Sequence, residues 1–387
     1  MPFLLHRDTR LPLTKPMEWA LSSRRGCGVA ASTIERELSH IGLFEEWLRK
    51  EGLDLADPLT FVESFTPNKI EASLRPWLER DRSRRKVVKL AVGASEIKMR
   101  LNVIGEYVDW VLRDSQAALS VRTQPAQIVA LAKQRDTIAA TLKDVTPSKS
   151  HAADKQGLSD QETHAVLDLI DPKNVLCPWG RGEPGNVDAV RHRNQVIVML
   201  MLSFGIRRGD LLKLCVGDVM THSNEPFLHV RRRPDDPNDP RKNEPNAKTQ
   251  ERMLPLDRFL VRLLDDYILK WRKKLPNAKR TPYLFISSHD GRPMATRSLN
   301  GIFETLHDTF PRLHPHVCRH THNDRLRAVC KTMGIRDKEA EDHARYLNGW
   351  LGDNRGIYTK REARLSAQRI SAAVQRNLFD GRRDVPF

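Results

Sequence analysis

The densest group of reactive side chains in this sequence lies in one short segment, Pro315 to His322, which reads PHVCRHTH. Proline fits well in the first turn of a helix, so we expect a helix to begin here. Four polar side chains spaced at i, i+3, i+4 and i+7 would then share one face, namely His316, Arg319, His320 and Asn323. Three interpretations are open at this point: a metal site, a face that grips phosphate, and a polar helix without chemistry.

The metal interpretation is the weakest of the three. Imidazole and thiol groups alternate along this segment, and a helix would spread them around its circumference instead of converging them on one ion. They are His314, His316, Cys318, His320 and His322. No second Cys/His pair follows at zinc-finger spacing. We therefore expect neither a metal nor any other cofactor.

Composition favours a polyanionic partner. The chain of 387 residues has a formal net charge of +16, and each phosphate that such a surface neutralises releases condensed counterions. The alternative is a basic surface that serves only solubility. With 39% apolar and 29% charged residues, the sequence is typical of a folded protein long enough for two or three domains.

Several features predict a cytoplasmic protein. The longest apolar run, Val196 to Leu202, is far too short to span a membrane. The N-terminal residues lack the basic region and apolar stretch of a signal peptide. Five scattered cysteines fit reduced thiols better than a disulfide framework.

Sequence patterns divide the chain into five parts. They are an arm at 1–29, a helical domain at 30–142, a polar linker at 143–157, a second domain at 158–378 and a basic tail at 379–387. In the helical domain Ser32 and Glu35 form a capping box. Apolar stripes at helical spacing run from Ile34 to Leu48 and from Ile97 to Leu112. The basic run Arg80 to Lys86 is a candidate contact with a nucleic-acid backbone, or a solvated face.

The second domain is predicted to be mainly helical with a small β-sheet. Its predicted strands are Phe227–Arg231, Arg252–Leu256 and Tyr283–Ile286, and 172–190 is predicted to be a loop. Its predicted helices are one capped by Ser159 and Glu162, a buried one at Val196–Phe204 ending at Gly205, one at Thr296–Asp308, one from Pro315, one before Trp350 and one at 361–378.

The segment after the buried helix carries a second motif. Gly205 to Leu211 reads GIRRGDL. It resembles the first arginine box of the tyrosine recombinase (phage integrase) family, Gly-Leu-Arg-x-x-Glu-Leu, with Asp210 in place of the glutamate. The three-residue step from arginine to acid selects Arg207 over Arg208.

Three more segments resemble the family's other boxes, in the family's order. They are Lys248-Thr249 with Arg252 and Pro255-Leu256 for a lysine-bearing β-hairpin, His316 to Thr321 for the His-x-x-Arg-His-Thr box, and Gly349-Trp350 with Tyr358-Thr359 for the closing box. Ordered occurrence of four boxes is far more specific than any one of them. The resemblance implies a mainly α fold with a small sheet, in which 30–142 is a core-binding domain and 158–378 an α+β catalytic domain.

The resemblance also implies an activity: site-specific recombination of DNA through a covalent 3′-phosphotyrosine, without ATP or metal. The catalytic residues it implies are Arg207, Lys248, His316, Arg319, Trp350 and Tyr358, with Asp210 and His320 in support. The implied partner is double-stranded DNA, bound by a homotetramer on two recombination sites. The helix at 361–378 is the candidate for exchange between protomers.

Physical chemistry accounts for these residue types. Tyrosine has a pKa near 10, so its attack on a phosphodiester needs a proton acceptor and neutralisation of the developing charge. Arg207 and Arg319 can supply the charge through bidentate forks. Lys248 can protonate the leaving 5′-oxygen, while His316 assists proton transfer or hydrogen-bonds the phosphate. The indole N–H of Trp350 can donate to a phosphate oxygen.

Alternatives remain open from the sequence. Lys242 competes with Lys248, Tyr346 with Tyr358, and His343 with Trp350. The activity itself has two rivals, a type IB topoisomerase that relaxes DNA with a similar residue set and an inactive DNA-binding protein of the same fold.

Overall fold

A computed structural model of this protein describes residues 2–6, 8–29, 31–80, 92–119, 121, 124–147, 156–180, 186–233, 236, 239–241, 244–245, 249–349 and 361–379, with side chains from 365 onwards in the last range. The chain divides into two compact units, Met1–Ala153 and Asp154–Phe387. The predicted fold class is confirmed, because the structure is mainly helical with one three-stranded antiparallel sheet.

The N-terminal unit is built from helices. They are α1 Thr14–Trp19, which continues as a wider turn at Ala20–Arg25, α2 Ala31–Glu51, α3 Pro58–Ser64, α4 Pro67–Lys69, which continues through Ile70–Leu74 into α5 Arg75–Glu79, α6 Ala94–Ala118 and α7 Pro125–Asp144. Both predicted apolar stripes are confirmed, since their residues on α2 and α6 are buried and share one hydrophobic core.

Three predictions for this part of the chain need correction. The arm is not irregular throughout, because burial of Met17 and Trp19 makes α1 part of the core, where the Trp19 ring lies 5.9 Å from that of Tyr107. Ser32 lies inside α2, which begins at Ala31. Helix α7 extends to Asp144, so the first two residues of the predicted linker are helical. The basic run beyond Arg80 lies outside the described residues.

The C-terminal unit contains the sheet and eight more helices among its described residues. The helices are α8 Asp160–Leu169, α9 Val187–Phe204, α10 Arg208–Leu212, α11 Arg258–Asp266, α12 Thr296–Glu304, α13 Pro315–Thr332, α14 Asp337–Asn348 and α15 Arg361–Leu378. The strands are β1 Val219–Met220, β2 Phe227–Val230 and β3 Arg252–Pro255, in that order in the sheet. Short helical turns occur at Val216–Asp218, Tyr267–Trp271, Arg272–Lys274 and Ala278–Arg280.

Helix α9 forms the centre of this unit. Its residues from Val196 to Leu202 are buried on every side, and α13 and α15 both pack against it. The predicted end of the helix is confirmed, since Gly205 adopts a left-handed conformation with φ of 56° directly after Phe204. The helix begins at Val187, inside the predicted loop at 172–190, because Ala189 and the following turn also enter the core.

The sheet confirms two of the predicted strands. Strands β2 and β3 pair antiparallel, with Phe227 opposite Pro255 and Val230 opposite Arg252. The third predicted strand, Tyr283–Ile286, is wrong. Its backbone bonds to two different segments in turn, from Leu284 N to Leu214 O and from Met294 N to Phe285 O, so it forms isolated bridges instead of a ladder.

Helix boundaries after the sheet mostly follow the sequence. The capping box of Ser159 and Glu162 at the start of α8 is confirmed, as are the start of α13 at Pro315 and the whole of α15. Helix α12 ends at Glu304, earlier than predicted. Of the helices that the structure describes, none is long and apolar enough to cross a membrane.

The left-handed turn at Gly205 generates a stability prediction. A Cβ atom at this position would lie 3.0 Å from Cδ2 of His322, and a non-glycine residue in this conformation costs about 1–2 kcal/mol. We therefore expect Gly205→Ala to lower the free energy of unfolding by at least that amount in urea denaturation. Gly301 within α12 is the matched control, because the space around it is open and Gly301→Ala should stabilise the protein by about 0.5–1 kcal/mol. Equal effects of the two substitutions would contradict the assignment.

Candidate active site

The first part of the site is the turn between α9 and α10. After Gly205 the backbone becomes extended at Arg207, which occupies the N-cap position of α10 with its side chain half-buried. Asp210 in the first turn of α10 is buried. The GIRRGDL motif therefore places a guanidinium and a carboxylate on one tight turn at the end of the central helix.

Arg319 of α13 connects this turn to the end of α14. Its Nη1 donates to the carbonyl oxygen of Gly205 at 2.5 Å, and its Nη2 donates to the carbonyl oxygen of Asn348 at 3.1 Å. Arg319 is 8% exposed. The structure thus brings together Arg207, Asp210 and Arg319, three residues predicted from two distant motifs.

A third arginine completes this group. Arg252, the first residue of β3, donates from Nη1 to Thr249 Oγ1 at 2.8 Å and from Nε to the carbonyl oxygen of Leu347 at 2.9 Å. Thr249 Oγ1 in turn donates to Asp210 Oδ2 at 2.6 Å. Arg252 Nη2 lies 3.9 Å from the same carboxylate oxygen, which is an ion pair without a hydrogen bond.

Positive charge exceeds negative charge at this site. Burial, followed by repulsion from Arg207 and Arg252, lowers the pKa of Arg319 to about 9. Burial also lowers the pKa of Arg252 to about 10, where Asp210 opposes the shift and Arg207 adds to it. Within the described part of the chain, Asp210 is the carboxylate whose charge acts on both guanidiniums. Such a site favours an anion with several oxygens, such as a phosphodiester.

The predicted histidines lie at the start of α13. His316 is exposed in the first turn, and its backbone N–H donates to Nδ1 of His314 at 3.2 Å. Partial burial, then the charge of Arg208 and the neighbouring imidazole of His314, lower the pKa of His316 below its ordinary 6.5. The ring is therefore neutral at pH 7 and can accept a proton. His320 is half-buried one turn later.

His322 has a packing role. Its ring is buried below Gly205. Burial, followed by the charge of Arg319, lowers the pKa of His322 to about 3. It is therefore neutral at physiological pH. Among the described residues, the structure contains no group of three or more His, Cys, Asp or Glu side chains that could hold a metal ion.

Three predicted catalytic residues lie outside the described residues: Lys248, Trp350 and Tyr358, as does the alternative lysine, Lys242. The residues next to two of them are part of the site. Gln250 N donates to the carbonyl oxygen of Gly349 at 3.2 Å, and a Cβ on Gly349 would lie 2.6 Å from Arg252 Nη1. With φ of 60° as well, this position requires glycine.

The alternative site residues on α14 differ in their surroundings. His343 is buried, with Nε2 3.3 Å from Ser366 Oγ of α15 and 3.6 Å from Glu339. Burial lowers the pKa of His343 below its ordinary value. Tyr346 lies close enough to Arg252 for its charge to act on the pKa of that guanidinium.

Sequence reasoning assigned no role to Arg252 and Thr249, although both belong to the lysine-bearing motif. A charged residue at an inward-facing position of a short strand is the signal that could have identified Arg252.

Comparison with known proteins supports the predicted family. Residues 185–332 match the model of the phage integrase family. The matched range includes Arg207, Asp210, Lys248, His316, Arg319 and His320, whereas Trp350 and Tyr358 lie beyond its end. Over 140 residues the chain is 29% identical to Transposase A from transposon Tn554 of Staphylococcus aureus, which is 35% of this chain and 36% of that protein. The chain thus spans about a third of the length of this curated relative.

Solved structures of recombinases are similar at low identity. A lambda integrase tetramer bound to a Holliday junction aligns with 88% of this chain and 78% of its own, at 13% identity and a TM-score of 0.46. The XerA recombinase aligns with 96% of this chain and 98% of its own, at 14% identity and a TM-score of 0.36.

The charge balance of the site generates a stability prediction. Removing one partner of a buried ion pair leaves an uncompensated charge, so Asp210→Asn should lower the free energy of unfolding by about 3 kcal/mol. Asp265→Asn is the matched control, because Asp265 accepts from Thr221 Oγ1 at 2.7 Å but its side chain is 27% exposed. Its loss should stay within about 1 kcal/mol. Urea denaturation measures both, and similar losses would contradict the proposed charge balance.

Proposed function

We propose that this chain, of which residues 185–332 match the model of the phage integrase family, is a site-specific tyrosine recombinase. One observation carries this proposal. Among the residues that the structure describes, Arg207, Arg252 and Arg319 converge beside one buried carboxylate, Asp210, and both Arg252 and Arg319 have a lowered pKa. A site of this kind gains stability from a bound phosphodiester, and the family supplies the reaction that takes place on it.

The proposed reaction is a transesterification. The phenol oxygen of Tyr358 forms a bond to the scissile phosphorus, and the bond from phosphorus to the 5′-oxygen breaks. The phenol proton passes to an acceptor, for which His316 is the candidate, while the ammonium group of Lys248 gives a proton to the leaving 5′-oxygen. A 5′-hydroxyl from a partner site then attacks the 3′-phosphotyrosine and releases Tyr358. No energy from ATP is needed, because the covalent intermediate retains the phosphoester.

The arginines have separate roles in this proposal. Arg207 and Arg319 neutralise the non-bridging oxygens in the transition state. Two of the Arg319 nitrogens are directed by backbone carbonyls, which orients its plane without cancelling its charge. Asp210 and His320 support this group, and Trp350 donates its indole N–H to a phosphate oxygen.

The proposed substrate is double-stranded DNA carried by a mobile genetic element. The net charge of +16 suits a DNA ligand, and the curated relative is a transposase of a transposon. The helical domain at 30–142 is proposed to bind the core site and 158–378 to catalyse. A homotetramer on two sites, with exchange of the helix at 361–378, is the proposed working assembly.

A suicide substrate tests the proposed activity. DNA nicked beside the scissile phosphate loses its 5′-hydroxyl fragment, so cleavage traps a protein–DNA adduct that resists denaturing electrophoresis. We expect Tyr358→Phe to abolish the adduct without weakening DNA binding. Tyr346→Phe is the matched control and should keep it. Tight binding of the cognate site by the unaltered protein without any adduct would sink the enzyme hypothesis and leave a DNA-binding protein.

The lowered pKa of His316 predicts the pH dependence of cleavage. A proton acceptor works in its neutral form, which predominates above its pKa, so the rate should fall only as the pH drops below 6.5. Single-turnover rates of adduct formation between pH 5 and 8 measure this fall in the cleavage rate. His316→Gln should be slow and nearly independent of pH over that range. A fall in the cleavage rate that is centred above pH 6.5, or that is unchanged in His316→Gln, would exclude His316 as the proton acceptor.

A further inference from the structure

Arg252 connects two parts of the site that are far apart in the sequence. Its Nη1 donates to Thr249 Oγ1 at 2.8 Å and to the carbonyl oxygen of Gln250 at 3.1 Å, whereas its Nε donates to the carbonyl oxygen of Leu347 at 2.9 Å. Its side chain is 1% exposed, too deeply buried to serve as a phosphate ligand itself. The structure instead makes it a bracket between the start of β3 and the end of α14.

The end of α14 is held in place by contacts that do not involve Arg252. Asn348 Nδ2 donates to Asn323 Oδ1 on α13 at 2.7 Å and to the carbonyl oxygen of Ala344 at 2.8 Å. The carbonyl oxygen of Asn348 accepts from Arg319. Leu347 is buried. These contacts tie the residues before the closing box to α13 independently of Arg252.

On its other side, Arg252 contacts Thr249 and Gln250, the last residues of the long connection between β2 and β3. Arg233 anchors the beginning of this connection through a bidentate pair with Asp218, at 2.8 Å for each bond. Arg241 anchors its middle by donating to the carbonyl oxygens of Leu212 and Met294. Its end is anchored at Thr249, which Asp210 and Arg252 hold from two sides.

We propose that Arg252 is a positioning residue for Lys248 in the proposed reaction, on which this inference rests. Lys248 is bonded directly to Thr249, so the bracket fixes the anchor from which the lysine side chain extends. A planar guanidinium suits this role, because it donates to Thr249 Oγ1 and Leu347 O from two nitrogens that its rigid fork holds apart. A lysine at 252 would keep the charge but lose this geometry.

Two DNA substrates separate this role from a general structural one. One carries the normal oxygen at the 5′-bridging position of the scissile phosphate, and the other carries sulfur there. A thiolate is a far weaker base than an alkoxide and leaves without being protonated, so the sulfur substrate does not need the lysine. Loss of proton delivery therefore slows only the oxygen substrate, whereas loss of phosphate binding or of the nucleophile slows both.

We expect Arg252→Lys to slow single-turnover cleavage of the oxygen substrate by about 100-fold, which is typical for loss of one general acid. On the sulfur substrate its rate should return to near that of the unaltered protein. Lys248→Met should show the same selectivity. Thr249→Val, which removes the bonds to Asp210 and Arg252 with little change in shape, provides a second variant should Arg252→Lys fold poorly.

Arg272→Lys is the matched control. Arg272 is a buried arginine that donates to the carbonyl oxygens of Ala278, Thr281 and Tyr283, outside the contacts of the site. The folded fraction of the Arg272→Lys variant should cleave both substrates at the normal rate. Equal slowing of both substrates by Arg252→Lys, or no slowing, would overturn the positioning role. Failure of the unaltered protein to cleave either substrate would overturn the proposed function and this role with it.

Discussion

The site depends on one buried side chain that is held by backbone carbonyls. Arg319 reaches from α13 to Gly205 at the end of α9 and to Asn348 at the end of α14. This fork joins the turn that carries Arg207 directly to the segment that leads to the closing box. The close approach explains the glycine at 205, since a side chain there would meet Arg319 Cγ at 3.3 Å.

Helix α13 supplies this support because its other faces are fixed. Thr321 Oγ1 accepts from Leu158 N at 2.8 Å and Asp324 Oδ2 accepts from Gly157 N at 2.8 Å, which secures the start of the C-terminal unit to the helix. Arg325 binds Asp160 Oδ1 at 2.5 Å and Asn377 Oδ1 at 2.9 Å, at the ends of α8 and α15. A helix bonded in this way along its length can hold the Arg319 guanidinium in a defined orientation.

The sequence allowed much of this arrangement to be predicted, for physical reasons that differ between elements. The buried run before Gly205 and the proline before His316 are local signals, so the ends of α9 and α13 followed from them. The bracket formed by Arg252 could not be foreseen, because its partner Leu347 is brought close only by tertiary packing. The same holds for Tyr283–Ile286, where alternating partners, and not propensity, decide the backbone.

Two of the hydrogen-bond partners of Arg319 are backbone carbonyl oxygens, and this has a consequence for the charge of the site. A carboxylate carries a full negative charge, so it would cancel more of the guanidinium charge than the dipole of a carbonyl group does. Here carbonyl oxygens accept from Nη1 and Nη2 of Arg319 and fix its direction, while burial, followed by repulsion from Arg207 and Arg252, lowers its pKa to about 9. Asp210 accepts from Thr249 and lies 3.9 Å from Arg252, and its charge opposes the lowering of the pKa of both Arg252 and Arg319. An anion bound here would relieve the repulsion among the three guanidiniums, which is the role that the proposed function gives to the DNA phosphate.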